Sequence, residues 1–137
     1  MTDKPFHLLP KLTPENEFFW TSGADGTLRF LRCRACGYFV HPPTPVCGRC
    51  LSRDLAPEAV SGRGTLYSFT VNYQRWNPTV PTPYVIGLVE LEEQHDLRLM
   101  TNLVNCEPDD VSVGMRVRVT FDHDGEVYLP LFEPDGS

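Results

Sequence analysis

The spacing of four cysteines, Cys33, Cys36, Cys47 and Cys50, most constrains what this chain can become; it reads C-x2-C-x10-C-x2-C. Two intervening residues let each pair of thiolates wrap one side of a metal ion in a tight knuckle, and two knuckles at the ends of a short hairpin complete a tetrahedral site. Gly37 follows the first pair, where the backbone often needs positive φ, and Leu51 stands at the equivalent place after Cys50. Four thiolates leave no open coordination position, so the expected cofactor is one structural Zn2+. Iron, held as in a rubredoxin-like electron carrier, is the rival, because the same sulfurs accept it. With Cys106 the cysteine count is odd. Paired spacing and an odd count argue against a disulfide framework and for a reducing, cytoplasmic compartment.

Residues 28–32 and 38–41 have strand composition and supply the hairpin arms, until Pro42-Pro43-Thr44-Pro45 ends the pairing. Upstream, a short helix is expected over residues 14–22, with Thr13 as N-cap, Pro14 in the first position and Gly23 closing it in a left-handed conformation. Phe18, Phe19 and Trp20 span too wide an arc of so short a helix to face one small core. One reading has them clamp the helix onto the following domain; the other leaves at least one of them for a partner.

After Ser61-Gly62-Arg63-Gly64 the pattern changes to period two. Tyr67, Phe69, Val71 and Tyr73 are expected on one side of a half-buried strand. Residues 84–91 are nearly continuous in apolar side chains and read as a central strand, with Gly87 marking a bulge or bend. Residues 97–104, 117–121 and 127–132 supply three more strands, and between the third and fourth, residues 107–114 read as a turn of helix with a glycine stop. Five strands with this break resemble a small Greek-key barrel, the OB-fold.

The 137 residues carry a net charge of −6, but the charge is unevenly spread. Residues 29–63 hold six arginines against Asp54 and Glu58, a local +4, whereas residues 64–137 sum to −8. The acidic remainder argues against a broad nucleic-acid footprint, and a basic segment of this size offers at most a local anion site. No run approaches the roughly 18 apolar residues of a membrane span, and no basic start leads into an apolar stretch as in a secretion signal. Nor does the sequence carry a nucleophile elbow, a phosphate-binding glycine loop or an open metal site. His7, His41, His95 and His123 are scattered, and Cys106 has no sequence-local activator. A chain without a catalytic constellation is expected to do no chemistry alone.

The order of these parts resembles a known family: aromatic helix, C-x2-C-G, Pro42-Pro43, C-x2-C, Ser61-Gly62-Arg63-Gly64, Leu66-Tyr67-Ser68-Phe69-Thr70-Val71, then residues 83–91. It is similar to the acyl-CoA-associated family that joins a rubredoxin-like zinc ribbon to an OB-fold, and the resemblance covers nearly the whole chain. It implies a mainly β protein: an N-terminal helical segment (residues 1–26), a zinc ribbon (27–60) and a five-stranded OB-fold barrel (61–137). It also implies a non-catalytic accessory subunit of a hetero-oligomer, partnering a thiolase-fold thiolase or aldolase, or a hydratase, that acts on acyl-CoA. Within that frame, Arg63 and Arg34 are candidates for the phosphates of acyl-CoA, whose geometry suits guanidinium forks. Their rival role is a solvated face, or pairing with the acidic barrel. The proline-stiffened loop 74–83 joins the first two barrel strands and carries Trp76, read either as an interface anchor beside Phe18, Phe19 and Trp20 or as a lid on the barrel. A single-stranded nucleic-acid binder remains the alternative from another class, next to the iron carrier.

Overall fold

The computed structural model describes residues 12–14, 16–74 and 82–135. In chain order these form α1 (Glu17–Thr21) running into a 3-10 turn (Ser22–Asp25), β1 (Arg29–Cys33), β2 (Phe39–Val40), β3 (Leu55–Ala59), β4 (Arg63–Asn72), β5 (Tyr84–Leu91), β6 (Arg98–Leu103), a 3-10 turn (Pro108–Asp110), β7 (Arg116–Asp124) and β8 (Val127–Pro134). None of the described helices is long and apolar enough to cross a membrane.

The helix starts later than its sequence signals place it. Thr13 N–H donates to Asn16 Oδ1 at 2.8 Å and Asn16 N–H donates to Thr13 Oγ1 at 3.3 Å, a reciprocal box that holds a turn ahead of α1. Gly23 is not the left-handed stop. Gly26, at φ 80, takes that role with its N–H on the Gly23 carbonyl, while a Cβ on Gly23 would lie 2.5 Å from the Phe121 ring. Gly23 is therefore a packing requirement, and Gly26 the conformational one.

Three strands make the ribbon sheet, in the order β2-β1-β3, with both pairings antiparallel. The third of these was not expected, because Pro57 interrupts a short and weakly apolar stretch. It is an edge strand, where a missing N–H is tolerated. The period of two along β1 and β2 divides the sheet between two cores. Phe30 and Phe39 join Phe19, Leu28 and the barrel residues, whereas Cys33 and Val40 join Cys47, with Leu31, Tyr38 and Leu55 packed around them.

The remaining strands close a barrel in the order β4-β5-β6-β8-β7, as an OB-fold does. In β4 the expected parity fails partway. A bulge between Leu66 and Ser68 shifts the register, so Leu66 is buried and Tyr67 exposed, and Phe69 and Val71 then turn inward. Gly87 itself pairs regularly with Phe69 and Thr101; its missing side chain makes room for Leu66, whose Cδ1 would sit 2.9 Å from a Cβ there. The bulge therefore belongs to the strand opposite.

The barrel's weakest closure is between β6 and β8, which are paired at one register position, Leu103↔Phe132. Pro130 has no N–H to give, and its carbonyl instead accepts the buried Thr101 hydroxyl at 2.9 Å. Phe19 and Trp20 of α1 lie over this seam, lining a groove with Leu99, Met100 and Leu131. The helix thus seals what the ladder leaves open.

Candidate metal centre

Each cysteine pair is set by the same backbone device. After the first pair, Gly37 N–H donates to the Cys33 carbonyl at 2.8 Å and Cys33 N–H donates to the Tyr38 carbonyl at 2.8 Å. After the second, Leu51 N–H donates to the Cys47 carbonyl at 2.9 Å and Cys47 N–H donates to the Ser52 carbonyl at 2.8 Å. Gly37 and Leu51 both hold positive φ, 82° and 66°. The equivalence of the two positions, read from spacing alone, is therefore exact in backbone terms.

The knuckles bring all four sulfurs within 4.8 Å of one another, with Cys33 Sγ 3.5 Å from Cys50 Sγ and Cys36 Sγ 3.7 Å from Cys47 Sγ. Zinc–sulfur bonds of about 2.3 Å in a tetrahedron place sulfurs about 3.8 Å apart, so the cage fits one such ion. Cys33 and Cys47 are buried and Cys36 and Cys50 face outward. Backbone N–H groups turn toward the buried pair. Those of Cys36 and Ala35 hold the Cys33 thiol down to about 6, and those of Cys50 and Arg49 lower Cys47 in the same way. At Cys50 the Ser52 N–H favours the thiolate, but hydrogen bonds with the neighbouring cysteine sulfurs outweigh it and push the group up to about 12. Four thiols so close cannot all ionise unaided; a bound cation supplies the missing charge.

The other candidate residues are dispersed. Arg34 lies in the first knuckle with Asp54 3.8 Å away, both side chains exposed. Arg63 opens β4 and faces Asp135 at 4.0 Å. They stand on different elements, each beside a carboxylate. Phe19 is in the core, 5.6 Å from the Phe30 ring and 5.0 Å from the His41 ring, so it anchors the helix and is not open to a partner. Phe18 and Trp20 are half-buried against the same core. Trp76 lies outside the described residues.

Sequence reading gave no role to the turn between β5 and β6, which joins ribbon to barrel. Gln94 pairs with the edge of β2 as a further strand would: Phe39 N–H donates to its Oε1 at 2.8 Å, and its Nε2 donates to the Phe39 carbonyl at 3.1 Å. Tyr38 O–H donates to Asp96 Oδ2 at 2.6 Å, and Ser61 N–H donates to Glu93 Oε2 at 2.6 Å. A run of polar residues after an apolar strand is the signal of a turn and carries no mark of what the turn will grip. His41, one of the four scattered histidines, is likewise given no role by the sequence. It sits edge-on to Phe30 at 4.9 Å, and burial there holds its imidazole down to about 4.

A four-sulfur ribbon sheet joined through a helix-sealed, five-stranded barrel defines a class of two-part zinc-ribbon and OB-fold proteins. Residues 20–56 match the ChsH2 rubredoxin-like zinc ribbon domain and residues 57–122 match the ChsH2 C-terminal OB-fold domain. The chain belongs to this ChsH2 (DUF35) family, and its ribbon carries four cysteines positioned to bind one metal ion. It is 37% identical over 126 residues to a probable enoyl-CoA hydratase alpha subunit of Thermomonospora curvata, covering 91% of this chain and 39% of that one. This chain thus spans about two fifths of that relative. It is 30% identical to the benzoylsuccinyl-CoA thiolase subunit BbsA of Thauera aromatica, covering 75% of this chain and 74% of BbsA. Among solved structures it is similar to a chain of the Ltp2-ChsH2(DUF35) aldolase, with TM-score 0.83 and 37% identity over 92% of this chain and 98% of that one.

Proposed function

We propose that this chain is a non-catalytic accessory subunit of an enzyme acting on acyl-CoA thioesters, with a thiolase-fold thiolase or aldolase as its partner. The observation that carries this reading is the near end-to-end likeness to one chain of an aldolase assembly. The names of the relatives, a thiolase subunit and a hydratase subunit, put coenzyme A thioesters in common around this fold. The chain's own chemistry agrees, because a four-thiolate site offers substrate no open coordination position.

In this reading Zn2+ is held by Cys33, Cys36, Cys47 and Cys50 and clips the ribbon, residues 27–60, to its fold, while the domain of residues 61–137 supplies the barrel strands β4 to β8, against which Glu17–Asp25 of the N-terminal segment (residues 1–26) pack. Phe18, Trp20 and Trp76 are the proposed aromatic contacts with the enzyme, and Phe19 fixes the helix that presents the first two. Arg63 and Arg34 are the proposed contacts for the thioester's phosphates; each is exposed and held only loosely by its carboxylate neighbour. A single-stranded nucleic-acid binder would need a basic aromatic groove, yet Arg98, Arg116 and Arg118 on the barrel each face a glutamate.

The test is co-expression with a thiolase-fold acyl-CoA enzyme from the same organism, followed by size exclusion and turnover of the enzyme with and without this chain. A stable complex with higher turnover or solubility is expected. Full activity of the enzyme alone, with the two proteins eluting separately, would overturn the reading.

A further inference from the structure

The second knuckle belongs to no strand. It lies between the end of β2 at Val40 and the start of β3 at Leu55, and of residues 41–54 only Cys47 is buried, so its place depends on the metal that Cys47 and Cys50 hold together with Cys33 and Cys36. Between the two ligands stands Arg49. Its backbone N–H donates to Cys47 Sγ at 3.3 Å, and its guanidinium lies 5.2 Å from the centre of the Tyr38 ring, which follows the first knuckle. The positions of both side chains are thus set at the ligands.

Both side chains meet one carboxylate of the barrel. Asp96 Oδ2 accepts the Tyr38 O–H at 2.6 Å and Asp96 Oδ1 accepts the Gln94 Nε2 at 2.9 Å. The Tyr38 bond foremost, then the Gln94 bond, with the charge of Arg49 added, hold this carboxyl below the usual carboxylate range. Asp96 and Gln94 belong to the β5–β6 turn, residues 92–97, whose own bonds are few and long: Gln94 N–H donates to the Leu91 carbonyl at 3.4 Å and Leu97 N–H to the Gln94 carbonyl at 3.1 Å. The turn also supplies Glu92 and His95 to a cleft of about 280 Å³ that it shares with Gly64, Glu90 and Arg116.

We propose that the β5–β6 turn senses metal occupancy of the ribbon: when the four cysteines are metal-bound, Tyr38 and Arg49 hold Asp96 and order the turn with the cleft wall it carries, and when the metal is lost both let go. The turn is the element with two states, gripped or free, while β5 and β6 on either side stay paired in both. Coupling of this kind is reciprocal, so a turn that the ribbon cannot grip must also weaken the metal. None of this depends on which enzyme the chain accompanies.

The test reads the coupling from both ends. Removal of zinc by a chelator should speed hydrogen exchange of the Gln94 and Leu97 amides by about tenfold or more, while amides within β5 and β6 keep their protection. From the other end, Asp96→Ala should lower zinc affinity, measured by chelator competition, by about tenfold, and Tyr38→Phe, which leaves the turn's own residues intact, by about fivefold. Asp96→Asn keeps an acceptor for Tyr38 but not the charge, so it should fall between Asp96→Ala and the unaltered chain. Adding Tyr38→Phe to Asp96→Ala should cost little more than Asp96→Ala alone. Glu92→Ala lies in the same turn but faces Arg116 and not the ribbon, so it should leave zinc affinity unchanged. Turn amides that exchange equally with and without zinc would overturn the proposal, as would zinc affinities of Asp96→Ala and Tyr38→Phe equal to that of the unaltered chain. Protection lost throughout β5 and β6 together with the turn would overturn it too, since ribbon and barrel would then be one cooperative unit with no sensing element between them.

Discussion

The ribbon and the barrel solve the same problem with different materials. The ribbon's private core is little more than Cys33, Cys47 and Val40, with Leu31, Tyr38 and Leu55 around them. The barrel and helix share a cluster running from Phe19 to Phe132 that draws on every barrel strand. A three-stranded sheet of this size buries too little apolar surface to offset chain entropy, and a metal supplies what packing cannot. Yet the two regions are not independent, because Phe30 and Phe39 are ribbon residues that serve the barrel's core. One sheet therefore has a metal face and an oil face.

Metal removal should break this comparison most severely. Structural zinc in such modules is worth roughly 10–16 kcal/mol of apparent binding energy, about a whole domain's stability. Cys47→Ser is expected to abolish stoichiometric zinc and strip amide protection from residues 29–59. The barrel should keep its strands but melt at lower temperature, having lost Phe30 and Phe39 from its core. Hydrogen exchange beside metal analysis checks both halves; full protection of β1 without metal would refute the ribbon's dependence on it.

A smaller effect sharpens the two-faced sheet. Phe30→Ala should cost about 3–5 kcal/mol, as a core aromatic does, and should lower the barrel's denaturation midpoint. Its neighbour Leu31, half-buried on the metal face, should cost less than half as much when changed to Ala and should act first on zinc affinity. Equal effects of both variants on the barrel would mean that the faces are not divided.

Next in size is the pH response of His41, which sits between Phe19 of the helix and Phe30 of the ribbon. Its folded value is depressed to about 4 from an ordinary 6.5, so the unfolded chain takes up a proton first as pH falls. Stability is complete above pH 6.5, declines between pH 6.5 and 4, and declines no further on this account below pH 4. The loss amounts to about 3 kcal/mol over that window. Denaturant midpoints measured across it at saturating zinc should show the slope in the native protein and not in His41→Phe.

Gln94→Ala is the mildest of these changes. It leaves the Phe39 N–H and carbonyl without their partner, at a cost of about 1–2 kcal/mol, and should speed exchange at the Phe39 amide while the zinc stays bound. Unchanged exchange there would show that Gln94 does not join the two regions.

What the sequence reveals follows the same division. The metal knuckles were legible because ligand chemistry fixes spacing, down to the parallel between Gly37 and Leu51. The strand over residues 84–91 was legible because one face is buried and the other half-covered, which leaves a nearly continuous apolar run. Parity in β4 was not, since a bulge changes the face without leaving a residue type behind. Nor was β3, whose pairing depends on β1 beside it and not on its own composition. The grip of Gln94 on β2 is a contact across 55 residues of chain. Such a contact has no local pattern to announce it.

The seam between β6 and β8 bears on how the chain must be assembled in time. Its seal, α1, precedes every strand in chain order, whereas β8, which it covers, follows all the others. Until β8 emerges, Phe19 has the Phe30 and His41 rings to pack on, but the seam that Phe19 and Trp20 cover does not yet exist, so part of that aromatic surface stays open while every other barrel strand is made. Contacts of such long sequence separation are slow to form, and uncovered apolar surface during that interval invites misassociation. A surface waiting with it from the start would remove that hazard, and an obligate subunit that meets its enzyme during synthesis would have one.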